Sequence, residues 1–255
     1  TAGNCRVDGL MGPGTDPHLF KATKESLDLL AAADIVVANG LHLEGRMQDI
    51  LHKISRQKPV LFVGDYVDHD KLLYGDKNEK MPDPHIWFDV AYWKSGLAGV
   101  ADALEKEGVL NAASSKNYLA QLDTLDAWVR STIHSIPLGD RVLVTAHDAF
   151  SYFGRAYDIE VVGLQGISTV AEYGIRDVTR MVDMITDRNI KAVFVESSIS
   201  SRSIEAVIAG CERRGHHVRL GGTLYSDAPG PRDSDAGTYI GMVHHNVLTM
   251  KNALQ

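Results

Sequence analysis

The tripeptide Asp-Pro-His occurs twice in this chain, as Asp16-Pro17-His18 and Asp83-Pro84-His85. With only 8 prolines and 11 histidines, the repeat is uncommon by chance. Proline fixes its own φ and pushes the residue before it to an extended conformation. Each histidine is therefore presented from a stiff, non-helical corner. His18 follows an apolar run and the loop Gly12-Pro13-Gly14, and His85 opens the segment Ile86-Trp87-Phe88-Asp89 that leads into a helix. A third histidine, His147, sits in Val144-Thr145-Ala146-His147-Asp148, between a buried strand and a helix patterned by Phe150, Phe153 and Tyr157. Asp227, in Leu224-Tyr225-Ser226-Asp227, also follows a strand, after Gly221 and Gly222. Ligands of open α/β sheets bind beyond the carboxyl ends of strands, which is where these residues fall. Three imidazoles and one carboxylate make a complete ligand shell for a divalent transition metal.

Each of the four is weak alone, since a single histidine after a strand is more often a cap or a surface residue. The other histidines, His42, His52, His69, His134, His216, His217, His244 and His245, read as solvated or locally capped. The neighbours His216-His217 and His244-His245 point apart on a strand and do not share a helix face, so neither pair is a natural chelate. His69, between Asp68 and Asp70, reads as part of a solvated loop. Glu196 ends a buried strand and has two readings of equal weight: a carboxylate orienting a ligand histidine, or one accepting backbone N–H groups. Asp16 and Asp83 read as turn caps rather than as orienting groups. Trp87, Phe88 and Trp93 read as core.

The elements that would position these residues alternate. Short β-branched runs at Ile35–Ala38, Val60–Val63, Val142–Thr145, Val161–Leu164, Ala192–Glu196 and Val218–Leu220 are continuous rather than alternating, as parallel strands covered on both faces are. A further strand-like run begins at Val7 and ends at Met11. Helical patterns lie between the runs. Lys24–Ala33 places Leu27, Leu29, Leu30 and Ala33, and Asp177–Arg188 places Val178, Met181, Val182 and Ile185 on one face. Strand alternating with helix predicts an α/β fold with right-handed crossovers. The stretch Asn111–Ser135 breaks the rhythm. Its apolar residues Tyr118, Leu122, Leu125, Val129 and Ile133, continued by Ile136, recur every three or four positions and stop before Pro137. It predicts one amphipathic helix of roughly 37 Å at the usual rise per residue. The expected architecture is two α/β lobes with parallel-rich sheets flanked by helices, residues 1–110 and 137–255, joined by a rigid spine helix over 111–136.

Composition excludes several classes. At 255 residues, one large domain or two lobes are expected. The net charge of −7 argues against a nucleic-acid partner, which would favour a basic patch. No apolar run approaches the roughly 18 residues needed to span a bilayer. The two cysteines, Cys5 and Cys211, are expected to be unpaired buried thiols. The front shows no signal-peptide pattern.

Longer blocks around these residues resemble a known family. They are Gly9-Leu10-Met11-Gly12-Pro13-Gly14-Thr15-Asp16-Pro17-His18, Ala38-Asn39-Gly40-Leu41-His42-Leu43-Glu44, Asp83-Pro84-His85-Ile86-Trp87-Phe88-Asp89-Val90 and Leu143-Val144-Thr145-Ala146-His147-Asp148-Ala149-Phe150. Beyond them lie Gly163-Leu164-Gln165-Gly166-Ile167-Ser168-Thr169, Phe194-Val195-Glu196-Ser197-Ser198-Ile199, Gly221-Gly222-Thr223-Leu224-Tyr225-Ser226-Asp227-Ala228 and Gly237-Thr238-Tyr239-Ile240-Gly241-Met242. The chain resembles the metal-binding solute-binding proteins of bacterial ABC importers for zinc, manganese and iron (cluster A-I), and the match runs along nearly all of it. The resemblance implies two α/β lobes joined by a long rigid helix, with one metal in the cleft between them. It carries the family's ligands onto His18, His85, His147 and Asp227. It also implies one divalent transition metal as cargo (zinc, manganese or iron), a membrane permease as partner, a monomer, and a periplasmic or extracytoplasmic location.

Three departures stand out. Family members with glutamate as third ligand are usually regarded as manganese proteins, and this chain has His147 there. Zinc-dedicated members often carry a histidine-rich loop before the second ligand, and here residues 65–82 hold only His69. Both point to the subgroup of mixed zinc, manganese and iron use. The family's opening strand and helix are absent before Val7, so the chain is expected to be short by on the order of 30 residues, about one supersecondary unit.

The implied task is capture and delivery rather than catalysis. Four protein ligands leave no open position for a reacting water, and no His-Glu-x-x-His motif occurs. Asp227 lies in a loop flanked by glycine and proline and is the ligand expected to release first at the permease. A bidentate Asp227 would suit manganese or iron better than zinc. The rivals are a metal-dependent hydrolase, with water replacing Asp227, and a surface adhesin.

Overall fold

The structure is a computed structural model that describes residues 5–75, 81–170 and 173–255. The chain divides into two compact units. One holds the residues up to Gly12 and Pro17–Asp126, and the other holds Pro13–Asp16 and Ala127–Gln255.

In the first unit the chain passes through α1 (Lys24–Ala32), β1 (Val36–Ala38), α2 (Gln48–Ile54), β2 (Val60–Phe62) and α3 (Val90–Lys106). The Thr23 hydroxyl caps α1 by accepting from the Ser26 N–H at 3.2 Å, which satisfies one of the helix's orphan donors. Strands β1 and β2 pair in parallel, Val36 with Val60 through Ala38 with Phe62. The core beneath them is Leu30, Val36, Met47 and Leu51, with Leu10 and Phe20 packed against it. A 3-10 turn at Ile86–Phe88 leads directly into α3, whose N-cap Asp89 accepts from the Tyr92 N–H at 3.0 Å.

Helix α4 (Ala112–His134) contributes its residues up to Asp126 to this unit and those from Ala127 to the other. Asn111 caps its start by accepting from the Ser114 N–H at 2.8 Å. Its other end is closed by Arg141, which donates to the His134 and Ile136 carbonyls, both at 2.9 Å. The predicted stripe holds from Leu122 to Ile136, each residue at most 3% exposed, while Tyr118 is partly exposed.

The second unit runs β3 (Val142–His147), α5 (Ser151–Tyr157), β4 (Glu160–Gln165), α6 (Ile175–Asp187), β5 (Ala192–Glu196), α7 (Arg202–Arg213), β6 (Arg219–Leu224) and α8 (Tyr239–Leu254). Strand β3 pairs with β4 and β5 with β6, both in parallel. Every residue of β3 and β5 is buried. They form one core with Met181, Val182 and Ile185 of α6 and with Ile204, Val207 and Cys211 of α7. This is the parallel α/β architecture that the strand–helix alternation predicts.

Three expectations need correction. The run Val7–Met11 is not a strand; it is irregular backbone with Val7 81% exposed, because a few apolar residues with no neighbouring strand among the described residues cannot satisfy their backbone groups in a ladder. The runs at β1 and β6 are not covered on both faces, since Val37 and Leu220 are about half exposed, at 50% and 53%. A continuous apolar run identifies a strand but not its depth. Both cysteines are free, yet only Cys211 is buried and Cys5 is exposed. The loop expectation for residues 65–82 falls partly outside the described residues, as does anything drawn from residues 1–4.

Candidate metal centre

In the first unit the site begins at the carboxyl end of β1. Gly40, Leu41 and His42 all take positive φ, +78°, +53° and +65°, a left-handed turn that two non-glycine residues adopt at some cost. Glu44 holds it by accepting from the N–H groups of Asn39 at 2.7 Å and Gly40 at 3.1 Å. Burial pushes the Glu44 carboxyl above its ordinary value, while the N–H groups of Asn39, Glu44 and Gly40 pull it back. The turn fixes Asn39, whose side-chain N–H donates to the Pro84 carbonyl at 3.0 Å. It thereby ties β1 to the second Asp-Pro-His corner.

That corner is buried. Asp83 and His85 have no exposed surface. Asp83 Oδ1 lies 2.7 Å from His85 Nδ1 and also accepts the His85 backbone N–H at 2.9 Å. Asp83 is thus both a cap and an orienting carboxylate, and the reading as a cap alone is corrected. With Nδ1 engaged, His85 turns Nε2 toward His18, and the two Nε2 atoms are 3.4 Å apart. The rings meet edge to face, 5.4 Å between centroids. Trp87 packs on His85 at 5.2 Å and is core, as is Phe88, while Trp93 is half-buried.

The second unit repeats the pattern with different elements. His147 is the last residue of β3 and Glu196 the last of β5. Glu196 Oε2 lies 2.6 Å from His147 Nδ1, and Oε1 accepts the His147 backbone N–H at 2.9 Å. Both readings of Glu196 hold at once. The other ring nitrogen, Nε2, is 3.3 Å from Asp227 Oδ2, with both side chains fully buried. Burial pulls the His147 pKa down, but the Glu196 and Asp227 carboxylates outweigh it and hold the imidazole well above its ordinary value.

Each unit therefore offers two buried ligand atoms at nearly one spacing. A tetrahedron with metal–ligand bonds of about 2.0–2.1 Å has edges of about 3.3–3.4 Å. In His85 and His147 the nitrogen left facing the neighbouring candidate is Nε2, and in each ring Nδ1 is held by a carboxylate, the arrangement that fixes tautomer and ring plane in metal sites. No enzyme-like general base is needed to explain either carboxylate.

Asp16, read as a turn cap, accepts from the Thr169 hydroxyl at 2.7 Å, 153 positions along the chain. The remaining histidines are not all solvated. His216 contacts the Ile190 carbonyl at 2.8 Å, His245 contacts Thr223 O at 3.0 Å, and His244 stacks on Trp128 at 4.0 Å. His69 reaches the Gly64 carbonyl at 3.0 Å.

Two supporting residues were given no role from the sequence. Gly163 pairs with Thr145, and a Cβ there would lie 2.5 Å from the Asp148 nitrogen and 2.7 Å from the His147 carbonyl carbon. The absent side chain lets the chain fold back directly after His147. Asn246 of α8 sits 2% exposed and bonds the Tyr225 backbone, two residues before Asp227.

Comparison with known proteins shows the family. Residues 2–253 match the family described as zinc-uptake complex component A, periplasmic. The manganese-binding lipoprotein MntA of Bacillus subtilis is 45% identical over 254 residues, 98% of this chain and 83% of that protein. The zinc-binding protein TroA of Treponema pallidum is 42% identical over 256 residues, covering 99% and 82%. The solved structure of that periplasmic protein superposes with a TM-score of 0.93 over 99% of this chain and 92% of its own. Fe(III)-bound YtgA from Chlamydia trachomatis gives a TM-score of 0.84 at 26% identity, covering 96% and 88%. Among the described residues no helix is long and apolar enough to cross a membrane. On this match, and on the shared fold, the chain belongs to the periplasmic zinc-uptake component A family of metal-binding solute-binding proteins.

Proposed function

We propose that His18, His85, His147 and Asp227 act as one ligand set that captures a single divalent transition metal. The protein then delivers that metal to the membrane permease of an ABC importer, outside the cytoplasmic membrane. The observation that carries the proposal is the paired geometry. His18 and His85 offer Nε2 atoms 3.4 Å apart, and His147 and Asp227 offer atoms 3.3 Å apart, each pair buried and each unit carrying its own orienting carboxylate. The relatives' descriptions support the class of cargo, since they name manganese, zinc and iron. Four protein ligands favour retention over turnover, because no coordination position is left for a reacting water. In this reading the helix α4 serves as the stiff connection between the two units.

The test is metal binding by the purified full chain. One metal per monomeric chain is expected, with His147→Ala abolishing high-affinity binding of Zn2+ and Mn2+. His147→Ala binding both metals as tightly as wild type would overturn the ligand set. Metal content of protein taken from its native compartment identifies the cargo, since affinity in vitro follows the Irving–Williams order whatever the cell loads.

A further inference from the structure

Three of the four proposed ligands are histidines, and two of those are locked by carboxylates that grip both ring and backbone. Asp227 is held differently. It lies three residues beyond the end of β6, before Pro229, Gly230 and Pro231. The strand that leads to it is irregular, since its register with β5 shifts between Val193 and Phe194, at Gly221 and Gly222. Gly222 takes φ of +138°, a conformation closed to ordinary side chains.

The loop is anchored instead by the side-chain amide of Asn246. Its Oδ1 accepts the Tyr225 N–H at 2.9 Å and its Nδ2 donates to the Tyr225 carbonyl at 2.7 Å. Both hydrogen-bonding groups of one residue are thus bound by one buried amide, as a neighbouring strand would bind them. His245, the adjacent residue on α8, reaches Thr223 O at 3.0 Å, and the Ser226 hydroxyl lies 3.2 Å from that of Ser198. The clamp sits two residues from Asp227, close enough to fix the backbone that carries its carboxylate.

We propose that Asn246 is the positioning residue for Asp227 and, through it, a determinant of which metal the site retains. This inference rests on the four-ligand reading above. Zinc is satisfied by four ligands and takes one carboxylate oxygen. Manganese and ferrous iron favour more oxygen ligands and gain from the second. Offering that second oxygen requires the carboxylate plane to be held in place. Loosening the clamp should therefore weaken Mn2+ binding more than Zn2+ binding.

The experiment uses the purified full chain and four substitutions: Asn246→Leu, Asn246→Asp, Met250→Ala and Asp227→Ala. Met250 lies on the same helix, fully buried, and its truncation controls for general destabilisation. Zn2+ and Mn2+ dissociation constants are read by chelator competition, and coordination geometry by the visible absorption of the Co2+ form. Asn246→Leu is expected to weaken Mn2+ about tenfold, an effect of roughly one hydrogen bond's size, and Zn2+ by less than about threefold, with altered Co2+ bands. Asn246→Asp, which keeps the acceptor for the Tyr225 N–H, should fall between. Met250→Ala should lower the melting temperature and leave the Mn2+ to Zn2+ ratio unchanged. A wild-type ratio and Co2+ spectrum in both Asn246 variants overturns the inference, as does Met250→Ala moving the ratio equally. Wild-type Mn2+ affinity in Asp227→Ala overturns the ligand reading itself and this inference with it.

Discussion

Glu196 grips His147 at two points, with Oε2 2.6 Å from the ring Nδ1 and Oε1 accepting the backbone N–H at 2.9 Å. One buried carboxylate at the end of β5 thus sets both the tautomer and the backbone placement of a residue at the end of β3. Asp83 does the same for His85 through a single oxygen, at 2.7 and 2.9 Å. Both arrangements leave Nε2 as the outward nitrogen, which is the requirement for a metal ligand whose other nitrogen is fixed.

The Glu196→Gln variant tests this relationship. An amide can accept one of the two hydrogen bonds but presents N–H to the other, so either the backbone bond is lost or the ring turns to the wrong tautomer. Metal affinity is expected to fall by about 10–100-fold, the usual cost of losing an orienting partner, while the protein remains folded. Chelator competition measures it, and unchanged affinity would remove Glu196 from the site's machinery.

The pH dependence follows from the raised pKa of His147. In the metal-free protein the charged ring is stabilised by Glu196 and Asp227. That contribution is complete below the unfolded imidazole pKa of about 6.5 and is lost as pH rises through the raised folded value. The metal requires the neutral ring, so protons compete with it. The two forms should therefore respond in opposite senses. The His147 contribution to apo stability declines with rising pH, and the increase in melting temperature caused by excess Zn2+ grows. Thermal unfolding from about pH 5.5 to about pH 8.5, with and without metal, checks both. A metal-induced increase independent of pH would contradict the assignment of His147.

Gly163→Ala tests the packing that places His147. The added methyl would lie 2.5 Å from the Asp148 nitrogen and 2.7 Å from the His147 carbonyl carbon, both backbone atoms. Backbone cannot rotate away as a side chain can, so the strand or the ligand must shift. We expect a loss of ~1–3 kcal/mol in denaturant unfolding together with weakened metal binding. Gly139→Ala is the matched control, since nothing lies within 4 Å of its added methyl. It should be neutral or slightly stabilising. Equal stability of the two variants would refute the role given to Gly163.

The four proposed ligands are legible in the amino-acid sequence because their chemistry is local. Proline stiffens the corners before His18 and His85, and His147 and Asp227 follow runs whose β-branched residues mark strand ends. The six strands and the helix α4 are legible for the same reason, since periodicity and capping act over a few residues. Strand depth was not, because the exposure of Val37 and Leu220 depends on what packs over β1 and β6, and the sequence contains no such distance. The strand expected at Val7 failed on the same ground, having no partner to bond.

The residue types and their spacing determined the class of ligand, the α/β alternation and the positions where metal chemistry could occur. Only the tertiary structure decided how the ligands are held. Glu196 and His147 are 49 positions apart, Asn246 and Tyr225 are 21 apart, and Asn39 and Pro84 are 45 apart. Each of these bonds forms where the fold brings distant backbone within about 3 Å of a buried or half-buried polar side chain. A buried carboxylate or amide must find its partner wherever the fold places one. Sequence proximity has no part in that choice, and so the proposed ligands could be picked out along the chain, whereas among these long-range supports only Glu196 was raised, as one of two readings and without its partner.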